Sequence, residues 1–225
     1  MINVGIVGFG LAGKVFHAPF VRAVSGLKLV AVARRDRQPD PAYPEVRFAA
    51  GILYDLASHL ADQALLLFGK PQFVSADLRK ERDGTLVNDA CDVVFHYSRM
   101  RAQLRATSMA AAPGPRFWIC GAEGTFTKYG LDPQEDAMKQ GGDPNAKTWG
   151  EESQSHWGEL TTADSTKVVP TIAGDYRGYY ENVRDAILGR AALEVTPEQA
   201  LDVMRALELA ERSSSAGCKL PWATS

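Results

Sequence analysis

No stretch of the chain is apolar for long enough to cross a bilayer, which takes about 20 residues, and no block of one charge sign occurs. Lys and Arg total 25 against 27 Asp and Glu, a net charge of −2. That balance excludes the basic surface with which proteins hold nucleic acid or an anionic membrane. Cysteine is scarce: Cys91, Cys120 and Cys218 stand far apart, with no metal-ligand or redox spacing. Three scattered thiols exclude a disulfide framework and suit a reducing cytosol, so a cytoplasmic location and no metal are expected. The N-terminus lacks the charged region, apolar core and cleavage site of a signal peptide. Repeats and low-complexity tracts are absent. What is there is ordinary globular composition, 45% hydrophobic and 23% charged, enough for one large domain or two small ones.

The most informative stretch is 51–69, GILYDLASHLADQALLLFG. It reads as one buried helix, with Leu53, Leu56 and Leu60 as a stripe and Leu65 to Phe68 apolar almost all round. Asp55 and His59 are four residues apart and Asp62 three further on, so at 3.6 residues per turn the three share one side. Buried carboxylates and imidazoles are costly unless paired or used. A carboxylate one turn before a histidine can orient the ring and raise its basicity, as a general base requires. The alternative is a core histidine merely satisfied by its neighbour.

At the N-terminus, Ile2 to Val7 reads as a buried parallel strand. Gly8, Gly10 and Gly13 follow at G-x-G-x-x-G spacing, then a helix over 14–24 and a second strand over 27–33. Strand, glycine turn, helix and strand within about thirty residues is the context in which this motif marks a dinucleotide site. Backbone N–H groups of Gly8, Gly10, Leu11, Ala12 and Gly13 would face a pyrophosphate at the helix start. A tight turn with close helix–strand packing is the alternative. For His17 and Pro19, packing and helix geometry are favoured over chemistry. The second strand runs into Arg34 and Arg35, which suit the 2′-phosphate of NADP; NAD remains possible, since Asp36 could reach a ribose. A solvated basic turn is the other reading of the arginines.

After a proline-rich loop at 38–44 the strand–helix alternation stops. A complete dinucleotide fold would need roughly a hundred more residues, at about thirty or more per βαβ unit. Instead, strands are expected over 73–82, 90–97, 102–111, 117–121 and 125–129, separated by turns such as Asp83-Gly84 and Pro113-Gly114. The stretch 130–158 reads as a long irregular loop in which Trp149 and Trp157 pack. Two further strands near 157–162 and 166–171 extend the sheet. A helix over 176–188 turns Tyr179, Val183 and Ile187 to one face. A last helix is capped by Thr196 with Pro197 at its first position and turns Ala200, Val203, Leu207 and Ala210 inward.

The segments GIVGFGLAGKVFHAPF and GILYDLASHLADQ, with FTKYGLDPQEDAM…WGEE and the closing helices, resemble the glucose–fructose oxidoreductase and inositol dehydrogenase family, Gfo/Idh/MocA, in the branch of NADP-dependent scyllo-inositol 2-dehydrogenases. The resemblance implies hydride transfer between a polyol or sugar carbon and a nicotinamide. It implies that His59 relays the hydroxyl proton while Asp55 orients it or binds substrate, and that the glycines hold the cofactor. It also implies a homodimer through the C-terminal sheet. The family's Glu-Lys-Pro motif is absent; Lys70-Pro71 follows the His59 helix and is a different place.

The expected fold is therefore α/β: a truncated Rossmann β-α-β unit at 1–50, then an α+β substrate and dimerisation domain at 51–225 with a large, mainly antiparallel sheet. Relative to the family, the later Rossmann strands are missing between Ala50 and Gly51. Two functions follow. One is an NADP-dependent oxidoreductase acting on a polyol or sugar. The other is an inactive remnant that keeps a dimerising domain and at most weak nucleotide binding. A regulatory nucleotide-binding module has no positive sign.

Overall fold

The computed structural model describes residues 1–33 and 51–222. In chain order these form β1 (Ile2–Val7), a π-helical turn (Ala12–His17) continuing into α1 (Ala18–Ala23), and β2 (Leu27–Ala33). A second π turn (Leu53–Ala57) continues into α2 (Ser58–Phe68). Then come β3 (Phe73–Arg79), β4 (Ala90–His96), β5 (Arg101–Thr107), β6 (Phe117–Cys120) and β7 (Thr125–Lys128). The remainder is α3 (Gln134–Lys139), β8 (Gly158–Thr161), β9 (Thr166–Val169), α4 (Arg177–Ile187), α5 (Pro197–Ala216) and β10 (Leu220–Pro221).

The chain groups into two compact units, residues 1–37 with 112–194, and 38–111 with 195–225. The expected boundary at residue 50 lies outside the described residues. The grouping joins the N-terminal strands to a later part of the chain, which sequence order alone does not suggest.

In the first unit β1 and β2 pair in parallel, with a bulge between Val4 and Gly5. The first strand was expected to be buried and the second to be apolar. Ile6 is buried, but Val7, Val30 and Val32 are 91%, 52% and 44% exposed. The helix after the glycine turn covers one side of the pair, and among the described residues no strand extends it. Pro19 explains the π turn ahead of α1. It has no N–H for the Val15 carbonyl and would crowd it, so the helix widens before the proline. Phe20 is fully buried and anchors this helix within the unit. Its ring lies 5.7 Å from Tyr176, 5.7 Å from Tyr180 and 6.1 Å from Trp149. On α4 it is thus Tyr180 that packs, stacked on Phe20 at 14°, while Tyr179 and Ile187 are exposed, contrary to the expected face.

The stretch 130–158, expected to be an irregular loop, contains α3 and is ordered by a buried amide. Gln134, 1% exposed, accepts the Trp149 indole N–H at 2.7 Å and the Tyr176 N–H at 2.9 Å, and donates to Asp132 at 3.1 Å. Lys128 adds three donated bonds, to Glu152, to the His156 carbonyl at 2.7 Å and to Thr171 at 3.2 Å. Trp149 packs as expected, and the segment is tied down by polar pairs that satisfy one another.

In the second unit β10, β3, β4 and β5 form one antiparallel sheet in that order. Its inner face, with Val74, Cys91, Val93, Phe95 and Leu104, packs with Leu53, Ala57, Ala61, Ala206, Leu207 and Ala210. The last helix opens on Thr196 with Pro197 in its first turn and a reciprocal Thr196–Gln199 capping box, as read from sequence. Ala200 does not turn inward; burial begins one and a half turns later at Ala206. The single large sheet expected is, among the described residues, two four-stranded sheets, since β6–β7–β8–β9 pair separately within the first unit.

Candidate functional site

The helix from Gly51 to Gly69 buries only one side. Leu53, Ala57, Ala61 and Ala64 are at most 4% exposed and follow the helical period against the sheet. Asp55, His59 and Asp62 fall on the opposite side and are exposed. So are Leu56, Leu66 and Leu67, at 47%, 75% and 55%. The expectation of a helix buried all round is corrected: one sheet covers one face, and the run of leucines near the C-terminal end turns too far to remain under it. The polar trio does share one side, as its spacing requires.

No hydrogen bond joins Asp55 to His59. The π turn spans Leu53–Ala57, so Asp55 sits in a wider coil than His59, which lies in the regular helix that begins at Ser58. The Ser58 hydroxyl donates back to the Asp55 carbonyl at 3.1 Å, which competes with the helical ladder and favours the wider turn. Such turns are frequent at functional sites.

Asp55 lines an open cleft of ≈ 580 Å³ within the second unit, together with Tyr54, Arg82, Asn88, Asp89 and Ser108. Around it the polar groups are tightly fixed. Asp89 is 2% exposed and accepts the N–H groups of Glu81 at 2.7 Å and Arg82 at 3.1 Å, and the Arg82 guanidinium at 2.9 Å. These bonds, the Glu81 amide foremost, hold its carboxyl down to about 2. The Tyr54 hydroxyl donates to Glu211 at 3.1 Å; burial, then Glu211, pushes it up to about 12. Neither Asn88 nor Asp89 was singled out from sequence. The signal was an Asn-Asp pair closing the loop after Asp83-Gly84, where such side chains bind nearby backbone.

Lys70, the lysine of the only Lys-Pro pair, is bound to Asp202 at 2.7 Å and lies past the end of α2. It takes no part in the cleft.

The glycine turn lies in the first unit. Gly8 has φ +90°, a conformation that favours glycine. A methyl group on Gly13 would lie 2.7 Å from the Gly8 carbonyl oxygen, so close packing requires glycine there. Gly10 differs. Its φ is not positive, and a methyl group would meet nothing within 4 Å. No contact within the described protein requires glycine at 10, which fits a backbone left open for a phosphate to approach. Leu11 and Ala12 are exposed beside it. Arg34 and Arg35 lie outside the described residues. His17 bonds the Tyr180 hydroxyl through Nδ1 at 2.9 Å, in keeping with the packing role expected for it.

Known proteins share this mixed α/β fold with antiparallel sheets. A solved oxidoreductase from Bacillus cereus is 28% identical with a TM-score of 0.71, over 83% of this chain and 56% of that one. Residues 30–221 match the oxidoreductase family C-terminal alpha/beta domain of Gfo/Idh/MocA, and the chain belongs to that family. It is similar to the scyllo-inositol 2-dehydrogenase (NADP(+)) of Bacillus subtilis, 38% identical over 170 residues, 74% of this chain and 48% of that protein. The uncharacterized oxidoreductase YdgJ of Escherichia coli is 36% identical over 184 residues, 80% of this chain and 51% of that protein. The chain thus spans about half the length of the curated relatives it matches. Among the described residues no helix is long and apolar enough to cross a membrane.

Proposed function

We propose that the chain is built on the plan of an NADP-dependent oxidoreductase that oxidises a hydroxyl of a polyol or sugar, with His59 and Asp55 as its catalytic-site pair. The observation that carries this is Asp55 lining an open cleft, with His59 exposed on the same side of its helix, in a member of an oxidoreductase family. His59 takes the hydroxyl proton. Asp55 has no bond to the ring, which favours its other role, binding a substrate hydroxyl at the cleft. A bound nicotinamide dinucleotide supplies the hydride acceptor. The glycine turn, with Gly8, Gly10, Leu11, Ala12 and Gly13, would hold its pyrophosphate, and Arg34 and Arg35 its 2′-phosphate. Charge-assisted bonds contribute roughly 1.5–3 kcal/mol each, so NADP should bind at least about tenfold more tightly than NAD. Equal affinities in a titration would refute the arginine assignment. Three free thiols suit a reducing, cytoplasmic setting.

A second reading is favoured by Val7, Val30 and Val32, exposed on a two-stranded sheet that a full Rossmann unit would extend. On this reading the 225 residues bind nucleotide weakly and turn over little. Hydride transfer needs its partners held within about 3–3.5 Å, and acid–base help alone contributes about 10²–10⁴-fold. The lysine of the family motif is missing as well. NADP reduction with scyllo-inositol, myo-inositol and glucose decides between the readings. Turnover abolished by His59→Ala supports the enzyme; nucleotide binding without turnover supports the remnant.

A further inference from the structure

The first turn of the Asp55 helix is held from a distance. The Asn88 carbonyl accepts the Ile52 N–H at 2.9 Å, and the Asn88 side-chain Oδ1 accepts the Leu53 N–H at 3.0 Å. Neither Ile52 nor Ala57 supplies a side-chain cap of its own to this helical segment. Helix-start N–H groups have no partner within the helix, so their acceptors decide where the helix begins. Gly51 lets Asn88 come this close. Its φ is +94°, and a methyl group there would lie 2.8 Å from both Asn88 oxygens.

Asn88 is itself fixed by its neighbour. Asp89 closes the loop from Glu81 and Arg82 through its carboxylate, its N–H donates to the Arg79 carbonyl at 3.0 Å, and its carbonyl takes the Ser108 N–H at 3.0 Å. Asn88 is therefore presented to the helix by a loop bonded to β3 and to the end of β5. Downstream, the Asp55 N–H donates to the Gly51 carbonyl at 3.1 Å. The path runs from the loop through Asn88 and Gly51 to the turn that carries Asp55.

We propose that Asn88 is a positioning residue for Asp55, holding the π register that sets where the carboxylate lies relative to His59 at the cleft; its catalytic meaning rests on the proposed function. A π turn is a one-residue insertion into the α ladder. If it relaxes, the residues within it shift by about 100° round the helix axis, one residue's rotation. Asp55 lies inside the turn and His59 just beyond it, so the two would part.

The test compares the unaltered chain with Asn88→Ala and Asn88→Asp. Aspartate keeps an acceptor and suits a helix N-terminus. In Asn88→Ala, exchange of the Leu53 amide should quicken about tenfold, the worth of one hydrogen bond, while Ile52, bound to the Asn88 backbone, should change less. NMR contacts from the Asp55 Hα to Ser58 and His59 Hβ should change with the register, and Asn88→Asp should restore both readouts. Asn88→Ser, whose hydroxyl is too short to reach Leu53, replaces Asn88→Ala if that variant does not fold. Unchanged Leu53 exchange, or quickened exchange with the Asp55–His59 contacts intact, overturns the proposal. In the polyol assay Asn88→Ala should lower kcat/KM for the polyol at unchanged KM for NADP, with rescue by aspartate; an undiminished kcat/KM also overturns it. Absence of turnover in the unaltered chain sinks the catalytic reading instead, and exchange and NMR still decide the positioning claim.

Discussion

A methyl group on Gly13 would lie 2.7 Å from the carbonyl oxygen of Gly8, while one on Gly10, three residues earlier, would meet nothing. The two glycines are therefore separable by experiment. Gly13→Ala should cost about 1–3 kcal/mol, the range for overpacking. Gly10→Ala should leave the Tm nearly unchanged but weaken NADP binding about tenfold or more, because the new methyl occupies the ligand's approach. Thermal unfolding and fluorescence titration check the pair. A destabilised Gly10→Ala, or one that binds NADP normally, would remove the phosphate role from this turn.

Asp89 should make the fold acid-sensitive. Its carboxyl is held at about 2, below the ordinary value near 3.9 of an unfolded chain. A lowered carboxylate pKa stabilises the folded state above the unfolded value, and that contribution is lost as pH falls through the folded one. Stability should therefore decline roughly between pH 4 and pH 2. Asp89→Asn should be less stable at neutral pH and lose less across that window. Urea unfolding at several pH values measures both; parallel profiles for the two proteins would count against the assignment.

Gln134 is expected to hold the loop that follows β7. Replacing it with alanine leaves the Trp149 indole and the Tyr176 N–H without their acceptor, at about 1–3 kcal/mol for each buried donor. Denaturant unfolding should record the loss, and Trp149 emission should shift red in the folded state. An unshifted spectrum would mean that water replaces the amide at no cost.

The two antiparallel sheets bear differently on self-association. The outer face of β3–β5 is charged, with Arg79 and Arg105 both bonded to Asp92, and needs no cover. On β6–β9, Trp118 and Val168 are 68% and 58% exposed, and their ladder positions line up through Thr127 and Glu159. We propose that any homodimer forms through this second sheet. Trp118→Asp should then convert a dimer to a monomer in light scattering. A dimer unaffected by that change would move the interface elsewhere.

Much of this chain was legible because local rules were strong. Candidate strands set off by turn signals located β4, β6 and β7 to within a residue or two. The Thr196-Pro197 start of α5 follows from cap chemistry that involves four neighbouring residues. The spacing of Asp55, His59 and Asp62 placed them on one side of a helix, and the glycine spacing placed a turn between strand and helix. All of these depend on contacts within a few residues.

What lay beyond reach depends on residues distant in sequence. Whether the Asp55 side of its helix is buried was decided by which side the sheet covers, and an apolar run at the helix end misled on that point. β3 ends at Arg79 rather than Arg82 because Asp89 folds residues 81 and 82 back onto itself. That the N-terminal helix packs through Phe20 on aromatic rings 129 to 160 residues away, and that Asn88 sets the start of a helix 35 residues before it, are properties of packing alone. The sequence determined most of the helices and strands and named the residues proposed to carry chemistry; the tertiary structure decided which faces are covered and which distant side chains hold the first turn of the Asp55 helix, because burial and capping depend on partners that local periodicity does not name.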